Sequence, residues 1–220
     1  MEEQRNSECW YKDTCKEDCD RCVVYPQLKW QMDNSGLYPA QQHPIKLYIT
    51  EHNRQDKKAF KELAAIREDI GSFVDNHENL YICSDNVGNG KTSWAIRMLH
   101  TYFHHYAVGN YENLLGMFVS TTDLLLKLKD FNNPLPAKYL QNLENVDLVV
   151  FDDIGVTGVS QYDLTQLYNI INKRLLANKS NIFTSNVTSY DKLEELLGSR
   201  LASRIYNSSE VIELKGTDLR

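Results

Sequence analysis

From residue 80 onward, short, mainly apolar runs alternate with stretches of helical period. Leu80–Cys83, Met117–Val119, Leu148–Phe151, Asn181–Thr184 and Val211–Leu214 read as strands. Lys91–Tyr106, Leu124–Phe131, Leu164–Ala177 and Lys192–Leu197 read as helices between them. Apolar runs without polar alternation suit strands covered on both faces. Strands alternating with helices build parallel βαβ units. The expected fold is a three-layer α/β core with a parallel sheet. Upstream, Ile45 to Phe73 reads as helical, with Phe60, Leu63, Ala64, Ile66 and Ile70 on one broad face and Gly71 as a cap or kink. Asn34-Ser35-Gly36, Pro39 and Pro44 mark 33–45 as a linker or an extended entry to the domain. This divides a 1–35 module from a 36–220 domain.

The 220 residues suffice for one α/β domain and a small appendage. Hydrophobic residues make up 42 % and charged residues 25 %, ordinary values for a globular protein. Met1–Glu8 is polar and acidic and no apolar run is long enough to span a bilayer, so a cytoplasmic protein is expected. The net charge of −6 argues against a general nucleic-acid coat protein. Nucleic-acid contact is then confined to a local patch or pore. Lys127, Lys129 and Lys138, with Phe131 and Tyr139, could line a single-strand path, or simply form a solvated amphipathic face. His100, His104 and His105 share one helix, but lack an evident third ligand for a metal.

The chemistry begins at Ser84-Asp85-Asn86-Val87-Gly88-Asn89-Gly90-Lys91-Thr92, which follows a strand and opens a helix. Phosphate oxygens need inward-pointing backbone N–H groups, and Gly88 and Gly90 let the chain turn tightly enough to supply them. The helix N-terminus adds partial positive charge. Asn86, Val87, Gly88, Asn89, Gly90, Lys91, Thr92 and Ser93 form the expected nucleotide-binding set. Lys91 would neutralise the β/γ-phosphates of ATP, and Thr92 would ligate Mg²⁺. Asp85 stands where the pattern G-x-x-x-x-G-K-[ST] has glycine, placing a carboxylate near the phosphates. A second motif, Leu148-Val149-Val150-Phe151-Asp152-Asp153, puts two acids at the end of a buried strand, where α/β folds bind ligands. Asp152 would hold Mg²⁺ and Asp153 would orient or deprotonate the attacking water.

These motifs, with Phe151-Asp152-Asp153-Ile154-Gly155, Phe183-Thr184-Ser185-Asn186 and Arg200-Leu201-Ala202-Ser203-Arg204, resemble the AAA+ helicase loaders of bacteria and phages, the DnaC/DnaI type. The likeness runs from about Gly36 to Arg220. It implies that Asn186 is the sensor-1 residue and that Arg204, with Arg200 four residues before it, is an arginine finger acting on a neighbour's γ-phosphate. Lys215-Gly216-Thr217-Asp218-Leu219-Arg220 is similar to the family's G-x-S-x-R ending, and no helical lid is expected after it. The implied function is ATP-dependent loading of a hexameric replicative helicase onto single-stranded DNA, with self-association through ATP interfaces. Two alternatives stand beside it: a transposition helper ATPase of the IstB type, and a nucleotide-gated adaptor that hydrolyses little.

Cys9, Cys15, Cys19 and Cys22 cluster at the front with spacing C-x₅-C-x₃-C-x₂-C. Four thiolates satisfy tetrahedral Zn²⁺, and so short a segment needs such a staple to fold. An Fe–S cluster, or redox-active or free thiols, are the other readings. Loaders of the DnaI type carry a metal-binding region that meets the helicase, which implies the same role here. Cys83 reads as a buried core thiol.

Overall fold

The computed structural model describes Cys9 and residues 22–110, 113–130, 132, 134–156 and 158–217. Its centre is one five-stranded parallel sheet, in the order β2-β3-β4-β1-β5. The strands are β1 (Asn79–Cys83), β2 (Gly116–Ser120), β3 (Leu148–Ile154), β4 (Ser180–Ser185) and β5 (Glu210–Glu213). Because successive strand side chains point to opposite faces, each apolar strand feeds two cores. Leu80, Ile82, Phe118, Val150, Ile182 and Ile212 face one cluster. Tyr81, Cys83, Val119, Val149, Phe151 and Phe183 face the other. Phe151 and Phe183 stack across β3 and β4 at 5.6 Å.

Helices fill both outer layers, as the apolar runs predict. On the first face lie α1 (Val24–Asn34), α2 (Lys57–Glu68), α3 (Ile70–Asp75) and α4 (Lys91–Tyr106). On the second lie α5 (Thr121–Lys129), α6 (Ala137–Asn145), α7 (Gln161–Leu176), α8 (Tyr190–Leu197) and α9 (Ser199–Tyr206). Ser120, Ser160 and Ser189 cap α5, α7 and α8 by accepting from the N3 backbone. No helix among the described residues is long and apolar enough to cross a membrane.

The helix expected over 45–73 starts at Lys57 and breaks at Asp69. The preceding stretch is irregular because Asn53, fully buried, offers the backbone other partners. Its Oδ1 accepts from Thr50 N at 2.6 Å and its Nδ2 donates to Tyr48 O at 3.0 Å. Such side-chain bonds compete with helical ones. Helix α1 lies in the segment that also holds the cysteines. It packs on α4, and its Leu28 and Met32 join the first core. Gln31 ties it down, donating to Asn110 O and Asn113 O and accepting from Leu115 N. Beyond it, Ser35 O accepts from Phe118 N at 2.7 Å, covering the edge of β2.

Candidate functional site

Strand β1 lies between β4 and β5 and delivers the loop 84–90 to the C-terminal edge of the sheet. Ser84, fully buried, organises the turn: its Oγ accepts from Asn86 N at 3.0 Å and from Asn89 Nδ2, and its own N–H donates to Ser185 O. Gly88 and Gly90 take φ of 72° and 98°, the left-handed region where a Cβ is costly. Asp85 is not among the residues with positive φ, so its backbone does not require the glycine of the pattern. Its carboxylate turns sideways and accepts from Thr188 Oγ1 at 3.0 Å.

The other flank of the loop is bonded to the chain after β5. Asn86 Nδ2 donates to Lys215 O and Gly216 O at 3.2 and 3.1 Å, and Asn89 Nδ2 to Leu214 O. Buried Asp56 holds this strap from beneath, accepting from Lys215 N at 2.6 Å and Gly216 N at 2.9 Å. A Cβ on Gly216 would lie 2.6 Å from Asp56 Oδ2, so the close approach excludes other residues.

Lys91 is buried at the start of α4, its Nζ donating to Asn86 O at 2.8 Å and Asn89 Oδ1 at 3.3 Å. Burial lowers its pKa, against the opposing pull of Asp153, Asp152 and Asp85. Thr92 Oγ1 donates to Asp152 Oδ1 at 2.8 Å, joining the phosphate loop to the acidic strand.

At that strand's end the β3–β4 register slips. Phe151 pairs with Phe183 but Ile154 pairs with Ser185, so β3 carries one extra residue. The bulge re-aims the two acids. Asp153 sits at φ 59°, strained for a non-glycine residue, and its N–H donates to Thr184 Oγ1 at 2.9 Å. The same Thr184 hydroxyl donates to Asp152 Oδ1 at 2.7 Å. One β4 side chain therefore sets both acids. Burial raises the Asp152 pKa, countered by the hydrogen bonds from Thr184 and Thr92. Asn186 Nδ2 reaches Asp153 Oδ1 at 3.3 Å.

These groups line an open cleft of about 880 Å³. Val87 to Ser93, Asp152, Asp153, Thr184 and Asn186 form its polar side, and Ile45, Leu47 and Tyr48 contribute an apolar wall. The donor set fits a nucleoside triphosphate and a hard divalent cation. A glycine-shaped loop and a buried ammonium face the phosphates, and the Thr92 hydroxyl beside the Asp152 carboxylate supplies oxygen ligands.

The structure thus brings Val87 to Ser93, both acids and Asn186 together in the cleft, whereas Asn86 lies outside its lining with its side chain bonded to the strap. Thr184 and the wall 45–52 went unassigned in the sequence. Thr184 is visible as a candidate only once β4 is known to lie beside β3. The wall carried no signal, since its pattern imitates a helix. Arg200 and Arg204 lie exposed on α9, outside the cleft lining. Cys9 is buried, and Cys22 is half-buried with its Sγ accepting from Tyr25 N at 3.5 Å. Cys15, Cys19, Phe131, Asp218 and Arg220 lie outside the described residues. Among the described residues, no group of three or more His, Cys, Asp or Glu is placed to hold a metal. His100 is buried, its pKa pushed down to about 4 by burial. Lys129 pairs with buried Asp163 at 2.7 Å.

The chain is similar to known proteins. The replicative helicase loader DnaC of Buchnera aphidicola subsp. Baizongia pistaciae is 31 % identical over 152 residues, covering 66 % of this chain and 57 % of that protein. The DnaC of Escherichia coli K12 is 26 % identical over 186 residues, covering 81 % and 69 %. This chain therefore spans little more than half the length of the first of these relatives. The crystal structure of a DnaC helicase loader superposes with a TM-score of 0.59 at 22 % identity, covering 79 % of this chain and 93 % of that one, which establishes a shared fold. A family model described as IstB-like ATP binding protein matches residues 30–220, from within α1 to the last residue. The chain belongs to the family of IstB-like ATP-binding proteins.

Proposed function

We propose that this chain is an ATPase that loads a hexameric replicative helicase onto single-stranded DNA. The observation that carries the hydrolytic part is the continuous hydrogen-bonded line Thr92–Asp152–Thr184–Asp153–Asn186 at the mouth of the phosphate loop. Lys91 and the loop N–H groups bind the triphosphate. Thr92 and Asp152 would hold Mg²⁺, which when bound neutralises charge on the phosphates. Asp153, with Asn186 against it, orients the water that attacks the γ-phosphate and accepts its proton. The lining of one cleft by the phosphate loop, both acids and Asn186 supports hydrolysis over a nucleotide-gated adaptor. The helicase and DNA are inferred from relatives that are named as replicative helicase loaders, and these names favour loading over transposition help.

Arg204 is exposed and lies outside the lining of its own cleft, as a finger for a neighbouring subunit would. Self-association then places ATP between subunits. Mixing tests this directly. Arg204→Ala should keep ATP affinity and lose hydrolysis by roughly 10³-fold, as other finger losses do. Lys91→Ala should lose its own site but retain a sound finger. The two combined on helicase and single-stranded DNA should regain part of the activity. Mixtures as inactive as either parent, beside an active wild type, would remove Arg204 from the interface.

The cysteine segment is read as a zinc-bound module that meets the helicase, with Cys9, Cys15, Cys19 and Cys22 as ligands. Purified protein should contain about one zinc per chain, lost in Cys19→Ser. Iron with visible absorbance, or no metal without chelator treatment, would reject it.

A further inference from the structure

We propose that Asp85 and Thr188 form a latch that positions Asn186 over Asp153. The inference deepens the hydrolytic reading above and rests on it. Asn186 is exposed, and its own bond to Asp153 is long, 3.3 Å. Its place is therefore set by the backbone on which it rides. That backbone is held at successive residues. Val187 N donates to Ser185 Oγ at 3.1 Å, Val187 O accepts from Tyr81 OH at 2.8 Å, and Thr188 O accepts from Tyr206 OH at 3.4 Å. These bonds fix the segment to the second-face core and to α9. Two bonds tie it to the phosphate loop: Ser84 N donates to Ser185 O at 3.2 Å at the loop's entry, and the Thr188 hydroxyl donates to the Asp85 carboxylate at 3.0 Å beyond Asn186. A glycine at position 85 could not accept that bond. The residue that departs from the P-loop pattern thus supplies the side-chain bond between the loop and the segment carrying Asn186. Tyr206, bonded to the same Thr188, lies two residues from Arg204 on α9, so the latch also joins the loop to the helix that bears the finger.

Asp85 and Thr188 act through Asn186 and are positioning residues. The bond needs a hydroxyl on one side and an acceptor oxygen on the other, and nothing more. Thr188→Ser and Asp85→Asn keep both; Thr188→Val and Asp85→Gly each remove one. In steady-state hydrolysis by the full chain, the conservative pair should stay within about twofold of wild-type kcat. The disruptive pair should fall about tenfold in kcat with KM for ATP changed less than twofold. The double variant Thr188→Val/Asp85→Gly should be no worse than either single, since both delete the same bond. Amide hydrogen exchange over 186–189, measured without nucleotide, should quicken in the disruptive variants and remain slow in the conservative ones. Wild-type kcat in Thr188→Val, or Asp85→Asn falling as far as Asp85→Gly, would overturn the latch. Unchanged exchange in both disruptive variants would overturn it as well. A wild-type chain that fails to hydrolyse ATP would instead remove the hydrolytic reading, and exchange would still decide whether the latch exists.

Discussion

Two buried cations sit at opposite ends of the same sheet, and they are built differently. Arg174, on α7 at the N-terminal ends of the strands, is fully buried and closed off. Its Nη1 donates to Leu143 O and Val146 O at 2.9 Å, its Nη2 to Ser180 O at 2.8 Å and its Nε to Asn181 Oδ1 at 2.6 Å. Every acceptor comes from the fold itself, and the guanidinium ties α6, α7 and β4 together. Burial still lowers its pKa to about 9. Lys91, at the C-terminal end, is buried almost as deeply but lines the cleft, with one carbonyl and one amide oxygen as partners. An ammonium has three donors. A cation whose partners are all internal belongs to structure, whereas one that faces a cleft and is flanked by carboxylates belongs to a ligand.

Removing the two charges should therefore separate stability from binding. Arg174→Met strands four buried acceptors and should cost about 3–5 kcal/mol, since each unsatisfied buried acceptor costs about 1–3 kcal/mol and the site partly relaxes. For a chain of this length that is a fall of roughly 10 °C in melting temperature. Lys91→Ala should move the melting temperature little and weaken ATP binding by at least about tenfold, or about 1.4 kcal/mol. Thermal melts and calorimetric titration of both variants check the contrast. Equal losses of stability would show that Lys91 is as structural as Arg174, and unchanged affinity would move the phosphate site elsewhere.

The difference between these regions also decided what the sequence could reveal. The Lys91 end was legible because its chemistry is local. Gly88, Gly90, Lys91 and Thr92 are contiguous, and α4 begins and ends where its pattern predicts. The acids Asp152 and Asp153 were visible at the end of an apolar run. Their aim was not, because the bulge and the left-handed Asp153 arise from the register of β3 against β4, 31 residues apart at the Asp153–Thr184 bond. Arg174 looked like any helical arginine, since its partners are backbone carbonyls that carry no side-chain signature. The wall from Ile45 to Asn53 was misread as helix for the same reason. What unwinds it is Asn53, buried beneath a strap that arrives from Lys215 to Thr217.

The smallest expected effect, and the one that probes the ligand-facing end most finely, belongs to Asp152. Burial holds its carboxyl above the usual range, although Thr184 and Thr92 both donate to it. A carboxyl whose folded pKa is raised binds its proton more readily folded than unfolded. Its ionisation therefore penalises the folded state at neutral pH, and the penalty fades as pH falls through the raised pKa toward the ordinary carboxylate value. Asp152→Asn keeps an oxygen to accept from both threonines and removes the charge. Without nucleotide at pH 7 the variant should melt higher than wild type, by about 2–4 °C for each kcal/mol relieved. The gap should narrow as the buffer is made more acidic. With Mg²⁺ and ATP present the order should reverse. Wild type gains about 2.7 kcal/mol at a hundredfold excess of ligand over Kd, while the variant, lacking an anionic oxygen for the cation, gains less. A variant that melts below wild type without nucleotide would mean that the Asp152 charge is satisfied within the fold, as Arg174 is, and that this acid is not held ready for a cation.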